Sequence, residues 1–430
     1  MARRSSLTRR SFLQTGAALA GGLLAPTVFP SGVIATAGRP GPNDRIQIGF
    51  IGSGHRAQLL MDQTPKEGRI VALCDVYLKK CADANKKKKQ NWPVYQDYRK
   101  LLDSKDIEAV FVPTTDHARV LPCIHACQAG MDIYAEKPLT LTIREGRALV
   151  NAVRKYKRVF QTGSQQRSME MNRFACELVR TGGIGKLKEV RGVNYSSPKN
   201  CDSLPEEPTP EGLDWNMWLG QAELRPYHWE RYRHWYACRS YSGGEMASWG
   251  AHGLDQVQWA LGMDTSGPTE IWPEGEGANA KVTFRYPNDV LLKLELSRGD
   301  GADRGPFGGA VFVGEKGTIT IDRNRFSTDP VDLVKSPPAT QKAEIWEGPG
   351  WQAKYHIGNW LECIRTREKP VADVEIGHRS CTVCHLANIT REVGRKLQWD
   401  PVNERFVGDD AANRYLDRPR RKGYELPDPV

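Results

Sequence analysis

Gly52-Ser53-Gly54-His55-Arg56-Ala57 has the G-x-G-x-x-A spacing of a turn that cradles a dinucleotide. Each small residue has a physical task. Gly52 permits the tight turn out of a strand, Gly54 lets the backbone approach a pyrophosphate, and Ala57 keeps the following helix close to the sheet. The helix N-terminus then points unpaired N–H groups at the phosphates, with Ser53, His55 and Arg56 beside them. Asp75 follows Gly52 by 23 residues and can accept hydrogen bonds from both hydroxyls of a ribose. A 2′-phosphate would be repelled there, so NAD is the expected cofactor. NADP is the alternative, helped by the nearby Lys79 and Lys80. A cofactor of this kind carries a hydride. The chain must then hold a C–H bond about 3–3.5 Å from the acceptor carbon and supply a base for a hydroxyl proton.

Those residues need a parallel sheet to carry them. Arg45 to Ile51 and Arg69 to Cys74 read as buried strands on either side of the motif. Three more strands follow, Ile107 to Val112, Asp132 to Ala135 and Val159 to Gly163, alternating with helical stretches that hold Val120, Ile124 and Cys127 and then Ile143 to Tyr156. Strand–helix alternation implies an α/β, doubly wound Rossmann domain, placed at residues 38–165. Ligands bind at the carboxyl ends of such strands. Thr114, Thr115, His117, Glu136, Lys137 and Gln165 sit at those ends and are expected to line the cofactor.

Two motifs extend the reading. Glu136-Lys137-Pro138 closes a strand, and Gly243-Gly244 precedes Ser248-Trp249-Gly250-Ala251-His252. On these motifs, and over nearly the whole chain beyond residue 37, the sequence resembles the glucose–fructose oxidoreductase, inositol dehydrogenase and rhizopine catabolism (Gfo/Idh/MocA) family. The resemblance implies a second, α+β domain at residues 166–399 with an open, mostly antiparallel sheet. It implies Lys137 as a catalytic lysine before a cis proline and His252 as the acid/base, with a pKa near neutrality before tuning. The family pattern has Asp-x-x-x-His on a helix, and here Ser248 stands in the aspartate position, one turn from His252 on the same face. The expected substrate-binding residues are Glu136, Arg167, Tyr241, Ser248, Trp249 and Asp255. Asp255 either orients His252 or makes a core ion pair. Arg119, where relatives often carry histidine, reads either as a charged substrate edge or as a solvated helix face. The resemblance further implies a homodimer or homotetramer built through the open sheet. No metal is expected.

The chain has 430 residues and a formal net charge of +10, which raises nucleic-acid binding as a reading. Four of those charges, Arg3, Arg4, Arg9 and Arg10, fall in residues 1–37, which hold no acid. Thr8-Arg9-Arg10-Ser11-Phe12-Leu13 resembles a twin-arginine signal, and Ala35-Thr36-Ala37 suits its cleavage. Export to the periplasm or cell envelope is therefore expected, with no membrane span in the mature chain. Lys86 to Lys89 read as a solvated face. Trp215, Trp218, Trp229 and Trp235, interleaved with tyrosines and arginines, suit stacking on sugars, and no nucleic-acid motif accompanies them. The ten cysteines, Cys381-x-x-Cys384 included, read mostly as buried thiols. Residues 400–430 read as an extended arm packing on a neighbouring subunit.

The expected function is an NAD(P)-dependent oxidoreductase acting on a carbohydrate: a sugar, polyol or glycoside. Its cofactor would be tightly bound, because the envelope offers no obvious pool of free NAD. One alternative is an NAD-dependent, redox-assisted glycoside hydrolase. Another, of a different class, is a non-catalytic sugar-binding module.

Overall fold

The computed structural model describes residues 44–299, 304–323, 325–334 and 353–427. The expected leader, residues 1–37, lies outside the described residues. From Ile46 onward the chain is one compact unit built on two sheets.

The first sheet holds β1 (Ile46–Ile51), β2 (Gly68–Cys74), β3 (Val94–Tyr95), β4 (Ala109–Val112), β5 (Asp132–Ala135) and β6 (Phe160–Thr162). Its order is β3-β2-β1-β4-β5-β6, and every pairing is parallel. The strands read as continuous apolar runs because both faces are covered. Phe50, Phe111 and Tyr134 point into one layer, and Ile51, Val110, Val112 and Ile133 into the other. The order reverses between β1 and β4, which opens the crevice where ligands bind in such sheets.

The second sheet holds β7 (Leu187–Val193), β8 (Glu270–Glu274), β9 (Lys281–Arg285), β10 (Leu291–Leu296), β11 (Ala310–Gly314), β12 (Thr318–Asp322), β13 (Arg325–Asp329), β14 (Leu397–Asp400) and β15 (Arg405–Phe406). Its order is β13-β12-β11-β7-β10-β9-β8-β14-β15, antiparallel apart from the β7–β10 pair. Buried and half-buried residues alternate along β10, β11 and β12, the signature of a sheet covered on one face. Helices Glu170–Arg180, Gly250–Ala260 and Val374–Val393 supply that cover.

Two expectations about the C-terminal third are corrected. Helix Lys354–Thr366 falls within residues 166–399, expected for the second domain, but packs elsewhere. It returns to the first sheet, where Ile357, Trp360 and Leu361 are buried and Trp360 meets Phe111 at 5.0 Å. The described part of residues 400–430, up to residue 427, packs on its own chain rather than extending as a free arm. Phe406, Ala412 and Leu416 complete the second core, and Tyr424 and Leu426 pack on the first. Arg421 fixes that crossing by donating to the Gly220 carbonyl at 2.7 Å and to Asn216 Oδ1 at 2.6 Å.

Cys201 and Cys238 form a disulfide. The other eight cysteines are buried thiols, with Cys381 Sγ donating to the Thr140 carbonyl. Among the described residues no helix is long and apolar enough to cross a membrane.

Candidate active site

The dinucleotide turn forms at the end of β1. Gly52 has φ +101°, a conformation that side chains disfavour. A Cβ on Gly54 would meet nothing within 4 Å, so the space above the start of helix His55–Gln63 is open. No side chain caps that helix, which leaves its first N–H groups for a ligand. Asp75 Oδ2 accepts from the Ser53 N–H at 2.8 Å and Oδ1 from the Tyr77 N–H at 2.9 Å. These bonds orient the carboxylate and leave each oxygen a further lone pair for a ribose hydroxyl. An open cradle, an uncapped helix start and an oriented acid suit NAD. Ser53 needs a correction: its side chain is fully buried and faces Cys81 and the Cys74 carbonyl. It serves the site by holding Asp75. His55 is exposed at the helix start.

β5 delivers Glu136, Lys137 and Pro138, and the Lys137–Pro138 peptide is cis. Glu136 accepts from Arg56 Nε at 2.7 Å and from Gln165 Nε2 at 3.1 Å. A Cβ on Gly163 would fall 2.9 Å from Glu136 Cδ, so the glycine makes room for the acid. Arg56 and Gln165, both expected at the cofactor, are held as partners of Glu136.

Lys137 Nζ donates to the Ser248 carbonyl at 2.7 Å. That acceptor exists because of a break in the helix. One segment spans Gly244–Ser248 and the next Gly250–Ala260. Across the break the His252 N–H bonds the Trp249 carbonyl rather than that of Ser248, which is freed for the ammonium. Ser248 therefore reaches the site through its backbone. Burial pushes the Lys137 ammonium down to about 8, against the raising effect of the Glu136 and Asp116 charges.

His252 lies one turn beyond Ser248 and is 7% exposed. Burial, and then the positive charges of Lys137, Arg323 and Arg56, hold its pKa well below the usual imidazole range. Burial thus tunes the ring away from its near-neutral starting value and favours the uncharged imidazole.

The substrate residues fall into two groups. Trp249 stays at the crevice, with Phe307 at 4.8 Å and the guanidinium groups of Arg298 and Arg323 at 5.2 and 5.8 Å from its ring. Arg167 and Asp255 do not. Both are buried, and Arg167 Nε meets both Asp255 oxygens at 2.9 Å. Arg167 also bonds Asp264, and Asp255 accepts from Ser380 Oγ at 2.7 Å. Asp255 thus makes the core ion pair and does not orient His252.

Tyr241 and His117 are corrected in the same way. The His117 ring lies 5.0 Å from Trp218 and 4.9 Å from Tyr241, and its Nε2 donates to the Trp218 carbonyl at 2.9 Å. Both side chains are 1% exposed and build a small aromatic core. Burial lowers His117 to about 4. Trp218 and Tyr227 belong to that core, so the expected aromatic sugar platform is mostly packing.

Thr114 stands beside the dinucleotide turn, and the Thr115 carbonyl accepts from the Ala118 N–H at 3.2 Å. Thr114 Oγ1 donates to the Ala118 carbonyl at 3.2 Å, and the Thr114 methyl lies beside Gly52. Arg119 is neither a substrate edge nor a solvated face. It is 2% exposed, pairs with Asp116 at 3.2 Å and donates to the carbonyls of Thr114 and Pro138, clamping the Lys137 loop. Sequence reading missed Phe307, which lies in the connection between β10 and β11, and Arg323, which directly follows β12.

Comparisons with known proteins agree with this arrangement. The profile for the NAD-binding Rossmann fold of the Gfo/Idh/MocA oxidoreductase family matches residues 46–164. The profile for that family's C-terminal α/β domain matches residues 187–426. Inositol 2-dehydrogenase of Salmonella typhimurium is 28% identical over 169 residues, 39% of this chain and 48% of that protein. The match thus spans about half the length of that curated relative. Among solved structures, aldose-aldose oxidoreductase from Caulobacter crescentus, complexed with glycerol, superimposes with a TM-score of 0.60 at 16% identity, covering 82% of this chain and 99% of that one. The WlbA dehydrogenase from Bordetella pertussis, in complex with NADH and UDP-GlcNAcA, gives 0.61 at 16% identity, covering 83% and 99%. At such identities the likeness is one of fold.

Proposed function

The chain belongs to the Gfo/Idh/MocA family of NAD-binding oxidoreductases, and from that premise we propose that it oxidises or reduces a sugar, polyol or glycoside. The observation that carries this reading is the pairing of Lys137, tied to the Ser248 carbonyl, with an uncharged His252, beside the Asp75 cradle. The names of the relatives, a cyclic-polyol dehydrogenase and an aldose oxidoreductase, support the substrate class. NAD, when bound over Gly52 and Gly54, supplies the hydride acceptor. Lys137 Nζ donates to the substrate oxygen, and the neutral His252 imidazole accepts the hydroxyl proton. Lys137, at about 8, keeps its proton near neutral pH and stays the donor to that oxygen while His252 holds the hydroxyl proton and returns it to solvent. Trp249 stacks on the sugar ring.

Lys137→Ala tests the reading. Turnover on the best of a sugar and polyol panel should fall about 10²–10⁴-fold while NAD binding persists. Unchanged turnover would take Lys137 out of the chemistry, and no turnover on any member of the panel would return the chain to a sugar-binding module.

The Cys201–Cys238 disulfide favours an oxidising compartment, in line with the export expected from the resemblance of residues 8–13 to a twin-arginine signal. There the cofactor must be regenerated within each cycle, which favours the redox-assisted glycoside hydrolase as a second reading. Cleavage of a glycoside without added NAD and without net NADH would select it. The half-exposed face of the second sheet supports assembly as a homodimer or homotetramer, which native mass spectrometry reads together with retained nucleotide.

A further inference from the structure

Between β7 and the Gly244 helix the chain makes an excursion of its own, residues 198–241, closed by Cys201–Cys238. Its core is Leu213, Trp218, Leu219, Tyr227 and Tyr241, and the residues packed against that core include Val76 and Tyr77. Those two immediately follow Asp75, the ribose-binding acid.

The contact is backbone pairing as well as packing. Tyr77 and Leu213 form an antiparallel bridge. The Asp214 N–H donates to the Val76 carbonyl at 2.9 Å, and the Leu78 N–H to the Gly212 carbonyl at 3.3 Å. Gln96 Nε2 donates to both the Val76 and Gly212 carbonyls. The loop after β2 is thus a small ribbon with the excursion. The Tyr77 N–H still reaches Asp75 Oδ1 at 2.9 Å, so the ribbon sets the position of the acid. Tyr232 completes the wall. Its ring meets Tyr77 edge-on at 6.5 Å and Trp218 at 5.7 Å. Burial, and then the nearby Asp75 charge, raise its phenol. It therefore stands beside the acid without being sealed in the core.

We propose that this disulfide-closed excursion completes the adenosine half of the cofactor site, with Tyr232 and Tyr77 as an aromatic wall for the base and the ribbon as a brace for Asp75. The proposal rests on the reading of the chain as an NAD enzyme. In it, half of the nucleotide pocket comes from outside the nucleotide-binding domain. A base packed on aromatic rings exchanges slowly because leaving exposes both surfaces, and the stapled loop cannot swing away to release it. This arrangement suits a cofactor that must remain resident.

The test uses the full-length oxidised protein, stripped of nucleotide and titrated calorimetrically with NAD and separately with ADP-ribose, which keeps the adenosine half and lacks nicotinamide. Tyr232→Leu should weaken both ligands by at least about fivefold, as loss of a base–aromatic stack implies, with the melting curve of the empty protein unchanged. Reduction of the disulfide, or a Cys201→Ser/Cys238→Ser variant, should speed release of bound NAD. The proposal is overturned if Tyr232→Leu and the reduced protein bind both ligands as the wild type does. It is also overturned if NAD weakens while ADP-ribose does not, which would place the excursion at the nicotinamide end. If the wild type binds neither ligand, the oxidoreductase reading itself fails.

Discussion

Two clusters of buried charge share the helix Gly250–Ala260, and they are built on opposite principles. Around Asp255, every charge meets its opposite: Arg167 is held by Asp255 and Asp264, with Ser380 donating to Asp255, and the guanidinium lies over Trp259. One turn earlier, around His252, positive groups gather: Lys137, Arg323 and Arg56 all press on one imidazole. Buried pairs that are matched specify structure. Buried groups of like sign shift each other's pKa and are characteristic of sites that do chemistry.

The comparison can be broken first with acid. His117, His356 and His385 are each held down to about 4 by burial, whereas an unfolded imidazole takes a proton near 6.5. Between those values the unfolded chain binds more protons, so stability falls as pH drops from about 6.5 to about 4. Urea midpoints across that range should drop steadily. A flat profile would mean that these rings are already charged in the fold.

A smaller effect separates the clusters directly. Arg167→Met strands Asp255 and should cost about 3–5 kcal/mol of stability, read from urea unfolding. If stability held and only substrate affinity fell, Arg167 would be the substrate residue that its position in the sequence suggested. The smallest effect is expected for Arg323→Gln. Removing that charge should let the His252 pKa rise and move the acid limb of the kcat/KM profile to higher pH by a fraction of a unit. An unmoved limb would take Arg323 out of the histidine's surroundings.

Legibility followed the physics of each signal. The first sheet was readable because fully buried parallel strands are continuous apolar runs ending in Gly52, Asp75 and Lys137. Helix Lys354–Thr366 gave no sign that it partners the first sheet, since an apolar face records burial and not against what. Asp255 was misplaced for a similar reason. Its distance from His252 along the helix was clear, but Arg167, which claims it, lies 88 residues away in sequence. Arg119 looked solvated because nothing local announces the carbonyls of Thr114 and Pro138 that it serves. The role of Ser248 was hidden altogether, because it lies in a carbonyl freed by a helix break.

The return of Lys354–Thr366 and of Tyr424 and Leu426 to the first sheet sets an order of events during synthesis. Domains commonly fold as units as they leave the ribosome, N-terminal part first. Here the nucleotide-binding half gains Trp360 on one layer, and Tyr424 and Leu426 on the other, only when the last segments of the chain have been made. The first sheet therefore completes its packing only after the second sheet has been synthesised, and a chain ending near residue 420 would lack the Tyr424 and Leu426 contacts while keeping β14 and β15.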